Sequence, residues 1–348
     1  MLALDVLVVG AGMSGLIAAT ELQKSGFSVA CVEKSRGSGG RLSSKRIEFE
    51  KNKSMIKFDL GCASFGATTE LFRSRVEYWI SLGIAKVWRF SDSAGSQYVA
   101  TPRSSSITRY LADQLDVYFA TRVTEIRKDN TLWSVYTGEI GQRTLFAQAK
   151  NIIFATPPQQ TADLLPYGHS FIAALSQPIL LPQWVLMLKV KGHLALNDDY
   201  YEFTDSIISR LILEQSKPGR SESDDYQVWV VQADIKWTAD NLETNKSSLE
   251  HALLAELMAK TGSPIIVDGT YLHRWLYSVA QPSELTGKMF LNDADGLWIC
   301  GDYLADTTRL SGVEAAFTSG YYLAKNYLAK NYLAKNFKPE RSEFIQST

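Results

Sequence analysis

The residues best placed to do chemistry gather near the N-terminus. Gly10, Gly12 and Gly15 stand between an apolar run, DVLVV, and a run with helical spacing, MSGLIAATELQKSG. In such a turn the first glycine permits a tight bend and the second lets a pyrophosphate approach the backbone. The third lets helix pack on strand. Met13 and Ser14 would open the helix, whose free N–H groups and positive dipole end face the phosphates. A ribose hydroxyl then calls for an acid at the end of the next strand, and Glu33 ends FSVACVE 23 residues after Gly10. Beyond it, the stretch 32–46 carries five cations against one acid. Within that stretch lies Arg36-Gly37-Ser38-Gly39-Gly40-Arg41. Paired glycines bring a second backbone segment to the same pyrophosphate, and a guanidinium neutralises it bidentately. Arg41 is the preferred partner, with Arg36 the alternative and Lys34 beside them.

These residues need elements to hold them. Residues 4–33 read as strand, turn, helix and strand, a βαβ unit of the length a nucleotide crossover requires. TRVTEIRKDNTLWSVYTG alternates and turns at Asp129-Asn130, as a hairpin does. AKNIIFATPP is a buried strand stopped by prolines. PQWVLMLKVKG, YQVWVVQADI and the helical SSLEHALLAELMAKTG suggest a second region with its own sheet. DGLWICGDY returns to buried-strand composition, and GVEAAFTSGYYLAKN is helical. The ends of the chain are therefore expected to share one sheet, with the middle inserted. YLAKN occurs three times in tandem from Tyr322 to Asn336, and a five-residue step turns a helix by about 140°, so its leucines form no single stripe.

Composition narrows the function. Thirty-six Lys and Arg against 37 Asp and Glu argue against a coat for nucleic acid or anionic membrane. The cysteines Cys31, Cys62 and Cys300 are scattered, with neither disulfide nor metal spacing. No leader or membrane-length apolar run stands out, so a soluble, cytoplasmic protein is expected.

EKSRGSGGRLSSKR resembles the second FAD contact of amine-oxidase-like flavoproteins and is closest in wording to the renalase family, especially its bacterial members. FDLGCASFG resembles the family's segment beneath the flavin, which implies contacts from Gly61, Cys62, Ala63 and Ser64. TPRSSSITRYLADQLDVYFATRVTEI resembles its helix and adenine-side strand, implying a backbone contact from Val123. IIFATPP resembles the Ala-Thr-Pro strand end, with Thr156. WICGDY and SGVEAAFTSG resemble the closing Gly-Asp motif and the helix aimed at the isoalloxazine. There Gly301 allows close approach and Asp302 accepts from ribityl hydroxyls, while a helix starting at Gly312-Val313 turns its positive end to the flavin. Where relatives read Gly-Ala-Gln-Tyr this chain has Gly61-Cys62-Ala63-Ser64, so substrate identity is less determined than the cofactor. Cys62 reads either as a redox or covalent-flavin residue or as a small turn residue.

The fold expected is α/β: a three-layer Rossmann-type FAD-binding domain on a parallel sheet, interleaved with an α+β substrate domain containing a mixed or antiparallel sheet. The FAD part would comprise 1–65, 100–158 and 291–337, the substrate part 66–99 and 159–290, and 338–348 a flexible tail. LHRWLYS lies where the family carries a Trp near the flavin. Strand alternation would put His273 and Trp275 on one face, with Tyr277 nearby and Arg274 opposite. Resemblance to renalase implies hydride transfer from an isomeric dihydronicotinamide dinucleotide to FAD, electrons then passing to O2 to give hydrogen peroxide. The alternatives are a flavin amine oxidase or desaturase-like enzyme, and a non-catalytic FAD-binding scaffold or electron-transfer protein. The partner expected is a small molecule, dihydronicotinamide or amine, with the chain a monomer or weak homo-oligomer.

Overall fold

The computed structural model describes residues 1–49, 54–91, 95–139, 141–177, 179–306, 309–310 and 312–336. The expected 338–348 tail lies outside the described residues. DVLVV extends into the strand Leu2–Val9, which pairs in parallel with Val29–Val32 on one side and Thr144–Phe154 on the other. Asp116–Tyr118 and Leu297–Cys300 add outer parallel strands, and Phe290–Asn292 is an antiparallel edge. Sequence-distant segments thus meet in one sheet, as the two apolar ends of the chain require.

Alternation along Leu2–Val9 splits the core into layers. Val6 and Val8 face the helices Met13–Lys24 and Gly312–Asn336, packing with Ala18, Leu22, Leu323 and Tyr327. Leu7 and Val9 face the other way, onto the hairpin Val123–Asp129/Leu132–Thr137 and the segment around Leu165 and Leu175. The hairpin turns through Asn130 at φ +54°, a conformation asparagine tolerates. The Gly312–Asn336 helix runs through all three YLAKN copies. The first copy exposes Tyr322 and buries Leu323, whereas the second buries Tyr327, as a 140° step dictates. The helix Glu70–Ser81 packs Phe72 and Trp79 on Phe317 of this last helix. Its cap Thr69 donates through N–H and Oγ1 to Glu314, each at 2.7 Å, which pins the two helix starts together.

The second sheet is antiparallel, in the order Tyr200–Glu202, Ile208–Leu213, Tyr226–Ala233, Leu180–Lys191 and Val267–Ala280. One face is sealed by the helix Lys246–Thr261, whose Leu249, Leu253 and Leu257 recur every four residues. The other meets the hairpin Ser44–Phe49/Ser54–Asp59 through Ile47, Phe49, Ile56 and Phe58. The rest of that face opens on a cleft above the carboxyl ends of the parallel strands. Among the described residues, no helix is long and apolar enough to cross a membrane.

Candidate functional site

The cleft holds about 2410 Å³, more than twice the roughly 1,000 Å³ at the upper end of ordinary small-molecule sites. Its floor is the glycine turn. Gly10 adopts φ +108° and donates its N–H to the Val32 carbonyl at 2.8 Å. Gly12 is the cap of the first helix, and a Cβ there would meet nothing within 4 Å on this protein. Gly15 is different. A Cβ on it would lie 2.8 Å from Ala155 Cβ and closer still to the Gly10 carbonyl oxygen. Gly10, Gly12, Met13 and Ser14 line the cleft, and Gly15 packs behind them.

Glu33 fastens this floor. Its carboxylate accepts from the N–H groups of Ala11 at 2.9 Å and Ser35 at 2.8 Å, leaving further lone pairs toward the cleft. Lys34 donates to Gln160 Oε1 at 2.8 Å, and burial together with the Arg122 charge lowers its pKa. The second glycine segment docks on the first through Gly39 N–H to the Ala11 carbonyl at 3.0 Å, with Gly39 at φ +126° and Gly40 at φ +54°. Beside them Ser38 Oγ is buried in the cleft wall without a hydrogen-bond partner among the described residues. Open backbone at Gly12, an orphaned hydroxyl at Ser38 and a helix start form a cradle that fits a pyrophosphate.

Arg36 lines the cleft, exposed and without an ion-pair partner among the described residues. Arg41 forks instead onto Asp302, with Nη1 2.6 Å from Oδ2 and Nη2 on Oδ1, and Nη1 also donates to the Ser278 carbonyl. The guanidinium expected at the phosphates therefore joins the glycine segment to the Gly301-Asp302 turn. Of these two arginines, Arg36 is the one without a carboxylate partner among the described residues.

The segment following Asp59 is held from all sides. A Cβ on Gly61 would collide with the Arg41 carbonyl, which also accepts from Cys62 N–H at 3.0 Å. The Leu60 carbonyl accepts from Trp275 Nε1 at 3.1 Å, and the Gly61 carbonyl from Gln232 Nε2 at 2.7 Å. Gly61, Cys62, Ala63 and Ser64 all line the cleft. Burial pushes the Cys62 thiol up to about 11, and it donates to the Ser64 carbonyl, the behaviour of a neutral turn residue. Val123, Thr156, Gly301, Gly312 and Val313 line the cleft as well, with Gly312 at φ +57° where the last helix begins.

Of the three wall residues expected from LHRWLYS, Trp275 and Tyr277 line the cleft and His273 does not. His273 packs edge-on against Trp275 at 4.9 Å between centroids and borders a separate surface hollow with Trp184, Glu243 and Lys246. Arg274 turns toward Trp184 and Glu243. Burial, with the Lys45 and Lys246 charges, lowers the pKa of His273 to about 4, so the ring is neutral at pH 7. A base depressed in the folded state costs stability when protonated, so stability is present above the ordinary 6.5 and lost as pH falls toward about 4. Replacing His273 by Gln is expected to flatten the pH dependence of urea unfolding between those values without removing bound flavin.

Several cleft residues were not singled out in the sequence: Lys45, Trp88, Arg89, Gln183, Tyr200, Glu202, Arg210 and Gln232. The two glutamines carried a usable signal. Each interrupts a mainly apolar strand, LLPQWVLMLKVK or YQVWVVQA, and each is almost wholly buried. A buried amide demands partners, which a core position would not offer. Behind the Gly61 segment sits a second unforeseen feature, a buried charge cluster. Asp59 accepts from Ser104 N–H at 2.9 Å, lies 3.4 Å from Lys217 Nζ and pairs with Arg220, while Glu214 pairs with Lys217 and accepts from Asp59 N–H.

A Rossmann sheet with an acid-ended second strand, closed over its carboxyl edge by an antiparallel sheet, is the fold of FAD-dependent oxidases. Residues 8–74 match the model of the NAD(P)-binding Rossmann-like domain. Cyclohexylamine oxidase from Brevibacterium oxydans IH-35A superposes with TM-score 0.68 at 12% identity, over 93% of this chain and 99% of that one. A protein assigned as a protoporphyrinogen oxidase from Exiguobacterium sp. 255-15 gives 0.66 at 12%, over 94% and 99%. Putrescine oxidase bound to putrescine gives 0.59 at 13%, again over 94% and 99%. At these identities the likeness is one of fold.

Proposed function

We propose that this chain is an FAD-dependent oxidoreductase that takes a hydride from an isomeric dihydronicotinamide dinucleotide. In this reading residues 1–65, 100–158 and 291–337 hold FAD, and 66–99 with 159–290 hold the substrate. FAD held there would supply the hydride acceptor and the route by which two electrons, with two protons, convert O2 to hydrogen peroxide. The donor loses a hydride and becomes the aromatic nicotinamide.

One observation carries the choice of donor. Among the described residues, a chain with a net charge of −1 lines its cleft with eleven cationic residues and five acidic ones, and of the cations Arg89 and Arg143 are paired with carboxylates outside the lining. Some of the excess surrounds the turn residues, at Lys34, Arg36 and Arg122. More lies at Lys45, Arg46, Arg103 and Arg109, among which Arg46 and Arg109 crowd Arg103 and lower its pKa after burial has begun the shift. A polyanionic dinucleotide gains from this field, whereas a protonated amine is repelled by it. The named amine oxidases share the fold, but an ammonium here would meet Lys45 and Arg210, and among the described lining residues the acid at that end is Glu202, already paired with Arg210. The protein's part is then to bind, orient and exclude water, Trp275 standing on the Leu60 carbonyl as one wall.

Salt tests the charge directly. In stopped-flow reduction of the FAD-loaded protein, the second-order rate with dinucleotide isomers should fall by about ten-fold between 20 mM and 500 mM salt. A rate that is flat, or that rises with salt as for a repelled cation, would remove the support for an anionic donor.

A further inference from the structure

Gln232 is 4% exposed, lies on the cleft face of the strand Tyr226–Ala233, and has an unpartnered Oε1 among the described residues. Its amide orientation is settled by chemistry. The Gly61 carbonyl, 2.7 Å away, can only accept, so the Gln232 NH2 group must face it and the oxygen must face away. Gly61 cannot drift, since it is pressed against the Arg41 backbone and its neighbour Cys62 is bonded there. A fixed, buried acceptor with nothing to accept from marks a place for a ligand donor.

The surroundings define that donor. Arg210 stands directly opposite Gln232 on the adjoining strand and lines the same cleft, its Nε held by Glu202 at 2.8 Å. A cationic donor would be set against that guanidinium, so the matching group is a neutral N–H. An amide joins such a donor to an acceptor oxygen, which complements an acceptor and a cation side by side. We propose that Gln232 Oε1 accepts a hydrogen bond from the primary carboxamide of the nicotinamide head and fixes which ring edge faces the flavin. Gln232 is a specificity and positioning residue in this scheme, and the inference rests on the dihydronicotinamide reading above.

The test uses oxidised dinucleotides as unreactive ligands of the FAD-loaded protein, with affinity read from the flavin spectrum. One carries the carboxamide and the other a 3-acetylpyridine head, which keeps the carbonyl and lacks the N–H. The wild-type protein should bind the carboxamide form about ten-fold or more tightly than the acetyl form. Gln232→Met, of similar length without an acceptor, should bind both alike while retaining FAD and the resting spectrum. Equal binding of the two by the wild-type protein, which needs no substitution, would overturn the assignment. So would a Gln232→Met protein that keeps FAD with a shifted resting spectrum yet still prefers the carboxamide, since Gln232 would then serve the flavin. Failure of dihydronicotinamide isomers to bleach wild-type flavin would instead sink the underlying reading and this inference with it.

Discussion

Gly15→Ala is expected to destabilise the protein by about 3 kcal/mol and to yield protein without flavin, whereas Gly12→Ala should fold normally and bind flavin weakly. The two glycines sit three residues apart in one motif and differ in what surrounds them. A Cβ on Gly15 would strike Ala155 Cβ at 2.8 Å and the Gly10 carbonyl at less, and backbone held between two strands cannot retreat. A Cβ on Gly12 would meet open cleft, where the pyrophosphate belongs. Exchanging Gly for Ala at that helix cap should cost the fold no more than about 1 kcal/mol. Flavin affinity should drop on the order of a hundred-fold, near 2.7 kcal/mol. Urea unfolding of apoprotein and FAD titration separate the two effects. A Gly12→Ala protein that retained full affinity would show that Gly12 does not face the phosphates.

Lys217→Met should be the most damaging substitution outside the turn, at about 3–5 kcal/mol. Lys217 is fully buried between two carboxylates, those of Asp59 and Glu214. Burial acts to raise Asp59, but Lys217 and Arg220 outweigh it and hold the group below the usual carboxylate range. At Glu214 burial wins over the attraction of Lys217 and pushes the carboxyl up. A raised acid stabilises below its ordinary 4.5 and loses that contribution as pH rises through its folded value, so the Lys217→Met defect should shrink in acid. The further change Glu214→Gln should recover much of the loss at neutral pH by removing the stranded charge. If the double variant is no more stable than the single, the damage lies in packing and not in charge. The cluster also anchors Asp59, from which the Leu60-Gly61-Cys62 segment runs under Trp275 and Gln232.

What could be read from the sequence was local. The glycine turn, Glu33 and the paired glycines are neighbours in the chain, and their spacing alone brings them to one cradle. The strands announced themselves through apolar runs, and the Asp129-Asn130 turn through its residue types. Pairing across long separations was not legible. Arg41 finds Asp302 261 residues away because strands from the two ends of the chain share one sheet, and Lys217 finds Asp59 across 158 because a hairpin packs on the second sheet. His273 shows the limit of alternation: it packs edge-on against Trp275, yet it borders the surface hollow and not the cleft. The charge of the cleft was hidden for a related reason. Arginines at 46, 103, 109 and 210 are balanced in the total composition and converge only when the chain folds.

The most direct measurement is anaerobic mixing of FAD-loaded protein with three sets of donors: dihydronicotinamide isomers, ordinary β-NAD(P)H and a panel of amines. The expected result is rapid loss of oxidised-flavin absorbance with the isomers alone, followed on admitting O2 by recovery of the absorbance and one hydrogen peroxide per flavin. Bleaching by amines and not by the isomers would contradict it.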